Sequence, residues 1–434
     1  MSTMLQDGAQ IQAKQPGFGG GVNIRDVPSA LEEDEAIALA NIILDERGGV
    51  SKRQGSTLIS TVGTGTDRIL SIYTWYRVAS DPHVIIHLSD GSLRYSTNYD
   101  TGSPSWTTIA TGKSTSAPYN FETYLDRLYM SNGVNNYAKW DGTTFTEMGS
   151  NPKGKYLKLW KDSMWVSGVE GSGLENRIYS SNVGDPDTFG ASSFVDIFKG
   201  DGDRIKALGA DANALIPFKQ RRFFIIFDPV TFANRLMDSE KGCESHRSLL
   251  YSEEGIYFLS SVGICVYFGD GPAEMISGKI QPLFTASQLN YTALDLACSY
   301  QDGVRFGWSL PEASSAVPNL QIEYYPRYDK KPWTFHRLPA RAMASVRKQT
   351  NVLLLYGHNA SNKVEKAFVG STDDGTAFQA LVEVGWYDFN SPLNWKYLNR
   401  VKLVGRGKFE IQFKRNFETA IKRNRLIDFS GGTD

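Results

Sequence analysis

From about residue 66 to residue 370 the chain repeats one idea, short aromatic strands alternating with Gly, Asn and Asp turns, at an irregular period of roughly 35 to 55 residues. Seven strand clusters follow one another. They are HVIIHLSDGSLRYST, then YLDRLYMSNGVNNYAKWDGTTFTEMG, then LWKDSMWVSGV with NRIYSSNVGDPDTF, then IPFKQRRFFIIFDP, then GIYFLSSVGICVYFGDGPAEMI, then ACSYQDGVRFGWSL with LQIEYYPRYDKKPWTFHRL, and last TNVLLLYGHNASNKVEKAFVGS, a candidate for a closing blade. A unit of this size with several strands cannot bury both faces alone and must stack on its neighbours, which is what a β-propeller requires. A tandem of β-sandwiches would instead show units of about 100 residues with longer linkers. The expected fold is therefore all-β, a propeller of six or seven irregular blades.

Strand periodicity agrees. In YLDRLYMSN, read as one strand, Leu125, Arg127 and Tyr129 fall on one face and Asp126, Leu128 and Met130 on the other. Bulky residues on both faces suit a sheet packed on both sides. The DG pairs Asp90-Gly91, Asp141-Gly142, Asp270-Gly271 and Asp302-Gly303 mark where outer hairpins should turn. The excess of Gly, 41 residues, beside 21 Tyr, 23 Phe and 9 Trp, favours strands over helices for the same reasons.

A net charge of −1 gives no global attraction to nucleic acid or to an anionic membrane. Cys243, Cys265 and Cys298 lie far apart, without metal-ligand spacing, and read as free thiols. No apolar run reaches the roughly 20 residues of a membrane span, and MSTMLQDGAQIQAKQPGFGGG lacks the apolar core of a signal peptide. Synthesis in a cytoplasm, with no membrane anchor, is the expectation.

The two ends differ from the middle. Residues 1–22 are expected to be a mobile arm, 66–375 the propeller, and 23–65 with 376–434 a separate platform of helix, hairpin and basic strands. In VPSALEEDEAIALA, Ser29 stands as a helix cap with Glu32 three residues on and acids in the first turn, and Leu31, Ala36, Ile37, Leu39 and Ala40 supply an apolar face. NIILDE, Arg47-Gly48-Gly49 and GVSKRQG then read as a hairpin. Residues 25–47 carry a net charge of −5, residues 396–425 one of +8. Opposite ends of opposite sign can meet within one subunit or between neighbours in a ring. A cyclic ring needs two complementary patches per subunit. The candidate patches are Glu32, Glu33, Asp34 and Glu35 against Lys414, Arg415, Lys422 and Arg423.

GGVNIRDVPSALEEDEAIALANIILDERGGVSKRQG (20–55) resembles the opening of many phage tail proteins, and GWYDFNSPLNWKYLNRVKLVGRGKFEIQFKRNF (385–417) is similar to their closing region. The order of these parts around a propeller-sized middle resembles the nozzle, tail-hub or packaged-DNA-stabilisation proteins of short-tailed phages, and more distantly minor tail proteins of long-tailed ones. That resemblance implies a non-enzymatic virion protein without cofactor, ring-forming and homo-hexameric. It would sit below portal and adaptor, retain and then conduct genomic DNA during ejection, and carry spike, fibre or needle proteins. A propeller adhesin or glycan hydrolase acting at the host surface is the alternative.

Other motifs read as structure. STDDGTAF (371–378) approximates the Asp-box of sialidase-like propellers, with Ala377 and Phe378 departing from it, and in those propellers the box is a turn. His83 and His87 in HVIIH lie roughly 13 Å apart along a strand and cannot share a metal ion. KGDGDR (199–204) lacks the remaining ligands of a calcium loop, and Gly112-Lys113-Ser114 lacks the glycine of a phosphate loop. PRYDKKPWTFHR (326–337) reads as an edge strand with a buried Trp333 rather than a base-stacking surface. The basic C-terminal strands read as protein-facing, because a conduit should let DNA slide and clustered cations would grip phosphate.

Overall fold

The structure, a computed structural model, describes residues 15–387 apart from 79, 172, 349 and 350, together with 401–402, 404–414, 421 and 423–428. Among these residues helix is confined to three short 3-10 turns, and the rest of the regular structure is strand. Six sheets are four-stranded and antiparallel: blade 1 (69–110), blade 2 (120–148), blade 3 (156–196), blade 4 (205–238), blade 5 (250–275) and blade 7 (340–367 with Ser56–Thr61). The meander 298–336 takes the remaining position, blade 6, inside a sheet enlarged to seven strands.

Neighbouring blades share cores, and the cores close a circle. Trp75 and Ile85 of blade 1 pack on Leu128 and Trp140 of blade 2. Tyr137 meets Leu157 and Met164, and Trp160 meets Leu208 and Leu215. Phe218 and Phe223 meet Phe258 and Tyr267, Leu259 and Val266 meet Trp308 and Ile322, and Cys298 meets Met343. Val346 and Leu355 return to Ile69 and Ile86 of blade 1. Each sheet is thus apolar on both faces, as the sequence pattern requires. The fold is a β-propeller.

Closure is made by the N-terminal part of the chain. Ser56–Thr61 pairs antiparallel with Lys363–Ala367 as the outer strand of blade 7, so this stretch, placed by the sequence in the platform, belongs to the ring. The helix expected from Ser29 is absent. Glu35 does accept the N–H of Glu32 at 3.1 Å, a bond like that of a capping box, but Glu35–Ala40 is a strand. It pairs in parallel with Gly21–Val22 and, at Ala40–Phe335, with the last strand of blade 6, and antiparallel with Leu381–Val384. A stretch this short is a marginal helix, and three pairing partners outweigh its propensity. The hairpin that follows is as expected, Ile42–Leu44 with Val50–Lys52.

Two further expectations change. Leu125 and Asp126 are not strand residues: both have positive φ and make the tight turn between Asn120–Tyr124 and Arg127–Ser131. Of the DG pairs, Asp141-Gly142 and Asp270-Gly271 turn outer hairpins, Asp90-Gly91 the middle one of blade 1, and Asp302-Gly303 the inner one of blade 6. Of the expected arm, residues 1–14 lie outside the described residues, while 15–22 are docked, with Phe18 N–H on Gly48 O at 2.8 Å and Val22 buried. The terminal segments do meet as one sheet on blade 6, and the exposed hairpin Lys408–Phe413 with Arg423–Asp428 follows.

Candidate functional site at the propeller axis

The inner strands of blades 1, 2, 3, 4, 6 and 7 begin at Ile69, Asn120, Tyr156, Ile205, Cys298 and Ala340. In blade 5 the inner strand is only Leu250–Tyr251, and the 3-10 turn His246–Ser248 precedes it. That turn reaches across the axis. Arg247 donates to Leu70 O of blade 1 at 3.0 Å and to Leu296 O, just before blade 6, at 2.6 Å. Blades 5 and 1 are not neighbours, so the Arg247 side chain must cross the axial space to make the first bond. The imidazole of His246 accepts from Leu208 N–H of blade 4 and lies 5.3 Å from the ring of Tyr156 in blade 3. The axis is therefore plugged at this mouth.

Ionisable groups crowd around the plug. Lys155 reaches Asp295 at 3.4 Å, and the Ser245 hydroxyl holds the carbonyls of Asp295 and Ala297. Glu244 is buried, accepts from Gln220 at 3.2 Å, and has its pKa raised by burial against the pull of Lys206. Burial, then Arg204, lowers Lys206. Burial, with Lys158 and Lys155 adding to it, pushes His246 down to about 3. Perturbed groups gather at sites that do something, though structural networks also perturb them.

Further along, Lys158 of blade 3 meets Glu122 of blade 2 at 2.6 Å and lies 4.7 Å over the ring of Tyr251 of blade 5. Burial opposes the Lys158 charge, but Tyr251 and Glu122 hold its pKa above the ordinary lysine range. Two clefts meet at Tyr251. One, of about 230 Å³, is lined by Ser299, Gln301 and Ser345. The other, of about 350 Å³, is lined by Asp211, Glu253, Glu254 and Phe268.

The interface residues expected from sequence have mixed fates. Glu32 and Asp34 both pair with Lys330, at 2.8 and 2.9 Å, so the acids are answered by the basic stretch 326–337. Glu35 is buried between Lys279 at 2.9 Å and Asn23 at 3.0 Å, so its carboxylate is part of the core and not of a surface patch. Glu33 is exposed. Lys414 pairs with Glu383 at 2.6 Å, on the strand beside Glu35–Ala40, and Arg423 is exposed in the hairpin. Arg415 and Lys422 lie outside the described residues. Sequence reasoning passed over CESHRS (243–248); its one signal was a run of polar and ionisable residues just before an unusually short inner strand.

The motifs weighed for chemistry are built into the frame. Asp373 of STDDGTAF clasps Arg53 through both oxygens, at 2.8 and 2.7 Å. Tyr300 donates to Glu323 at 2.8 Å, a Tyr–Glu pair with Arg305 alongside at 2.9 Å, but the Glu323 carboxylate is wholly buried between strands. His83 and His87 pack on different aromatics, Tyr95 and Tyr119. Among the described residues no group of three or more His, Cys, Asp or Glu is arranged to hold a metal ion. Trp333 is buried, though its strand lies inside the enlarged sheet, not at an edge. All three cysteines are buried free thiols.

The buried histidines carry a prediction. Burial lowers the His87 pKa from 6.5 to about 4, and that of His246 in the same direction. A depressed pKa leaves stability intact above the unfolded value and removes it as pH falls towards the folded one. His87 alone should cost about 3 kcal/mol between about pH 7 and about pH 4. Urea unfolding across that window should show the loss, with a shallower slope in His87→Phe; an unchanged slope in the variant would contradict it.

Fold and axis together define a plugged β-propeller. No family model matches the chain, and no curated protein does. Among solved structures it is similar to the computationally designed Ika8 protein, at 8% identity and TM-score 0.42, covering 72% of this chain and 100% of that one. It is also similar to PorZ, described as an essential bacterial surface component of the type-IX secretion system of Porphyromonas gingivalis, at 10% identity and TM-score 0.43. That match covers 76% of this chain and 39% of PorZ. Among the described residues no helix is long and apolar enough to cross a membrane.

Proposed function

We propose that the chain is a structural subunit of a bacteriophage tail, a hub or nozzle that forms a ring below portal and adaptor, retains and then conducts genomic DNA, and carries distal tail components. One observation carries the reading. Parts of the two segments that resemble phage tail proteins, more than 300 residues apart, come together: Trp386 N–H bonds Pro28 O at 2.9 Å, and Leu381–Val384, just before the second segment, pairs with Glu35–Ala40. The result is a composite edge outside the closed ring of blades, and a closed ring has no internal need of it. The exposed charges of the terminal segments, Glu33 before the edge strand and Arg423 and Arg425 in the C-terminal hairpin, suit a heterologous contact between neighbours. With the Arg247 side chain across the axis of a single propeller, the reading runs the DNA conduit between subunits and not along that axis.

The purified chain should form a ring at tens of micromolar, and Glu33→Lys with Arg423→Glu and Arg425→Glu should weaken assembly at least about tenfold without unfolding it. Native mass measurement over a concentration series checks this. A strictly monomeric chain, or rings indifferent to the three reversals, would sink the interface.

A further inference from the structure

Three arginines converge on the plugged mouth. Arg68 lies two residues before Leu70, whose carbonyl takes one nitrogen of Arg247. Arg341 is the second residue of the inner strand of blade 7, which packs between those of blades 6 and 1: the Cys298 thiol lies 3.9 Å from Arg341 O, and Ala342 shares a core with Ile69. Arg247 O in turn accepts from Ser299, one residue beyond Cys298, at 3.2 Å. The three side chains are half-buried.

None of the three has a carboxylate partner among the described residues. Arg247 spends its donors on Leu70 O and Leu296 O, and Arg68 on Thr66 O and Asp67 O. The Arg341 guanidinium has no hydrogen-bond or ion-pair partner among them. Burial, then Arg247, then Arg68, lowers its pKa, and no acid offsets them. Asp295 offsets part of the Arg247 charge, but no acid does so for Arg341; half-buried guanidiniums with so little counter-charge are costly, and the arrangement is relieved by an anion that accepts several N–H bonds at once. Guanidinium geometry suits an oxyanion.

We infer that the mouth of the propeller axis, between Arg68, Arg247 and Arg341, is an oxyanion-binding site whose ligand is a phosphate group. The inference does not depend on the tail reading, because the arginines converge whatever the propeller is attached to. Arg341 supplies the free donors, while Arg247, already fixed by two carbonyls, presents its charge in one position.

The test is calorimetric titration of the full chain with inorganic phosphate at constant ionic strength, with chloride as the control anion and acetate as the carboxylate comparator. Saturable phosphate binding is expected, with acetate at least fivefold weaker. Arg341→Gln should weaken phosphate at least tenfold, and at low salt without phosphate it should unfold no more easily than the native chain, because a like charge has been removed. That second readout separates a binding role from a structural one. Arg247→Gln is the poorer variant, since its bonds join the blades. Phosphate heats indistinguishable from chloride, tighter binding of acetate, or unaltered affinity in Arg341→Gln would each overturn the assignment.

Discussion

Replacing Glu323 by alanine is expected to destabilise the propeller by about 3–5 kcal/mol. The carboxylate is fully buried in blade 6 and accepts from Tyr300 at 2.8 Å, Arg305 at 2.9 Å and His336 Nε2 at 2.8 Å. Because a carboxylate can only accept, His336 must carry its proton on Nε2. Burial alone would raise the Glu323 pKa, but Arg305, then His336 and Tyr300, overcome it and hold it down to about 2. Alanine would leave three buried donors without this acceptor, at about 1–3 kcal/mol each, although Arg305 keeps its ion pair with Asp302. Glu323→Gln keeps the shape and should cost less. Urea unfolding of both variants checks the order, and an alanine variant within about 1 kcal/mol of the native chain would mean that water reaches the pocket.

Arg53→Ala should cost a similar amount, about 3–5 kcal/mol, for a different reason. The Arg53 side chain is fully buried and donates to Asn41, to both oxygens of Asp373, and to the carbonyls of Gln54 and Arg337. Those five bonds match its five N–H donors. They tie the N-terminal segment, the end of blade 6 and the loop after blade 7 at one point, beside the strand that closes the ring. Phe378 covers the guanidinium at 3.9 Å. Lysine cannot reproduce a forked donor, so Arg53→Lys should lose at least half as much as alanine. Proteolysis between residues 20 and 60 should accelerate in both variants, reporting release of the closing strand; a protected N-terminal segment in Arg53→Ala would contradict the clasp.

What could be read from the sequence and what could not divide along physical lines. Seven strand clusters were legible because a blade must be apolar on both faces, and that leaves a mark on nearly every residue of segments such as HVIIHL and GICVY. The helix expected over VPSALEEDEAIALA rests on local signals: Glu35 does bond the N–H of Glu32, but of the three partners that make 35–40 a strand, two lie near residues 335 and 382, beyond any window. For the same reason the acidic run looked like one surface patch, although Lys279 and Lys330 neutralise three of its four members. The Leu125-Asp126 turn was missed because neither residue is glycine. At the axis, Arg68, Arg247 and Arg341 carry no motif, and only ring closure, a property of the whole chain, brings them to one mouth.

The proposal that this propeller is a tail hub or nozzle meets its most direct test in a mixture with purified portal–adaptor assemblies, imaged by electron cryomicroscopy. A ring of propellers is expected on the distal face of the adaptor, with blade 6 and the paired terminal segments at the contacts and an open channel between subunits. Bare adaptor faces at saturating concentrations of the chain, or a lone propeller centred on the channel, would contradict it.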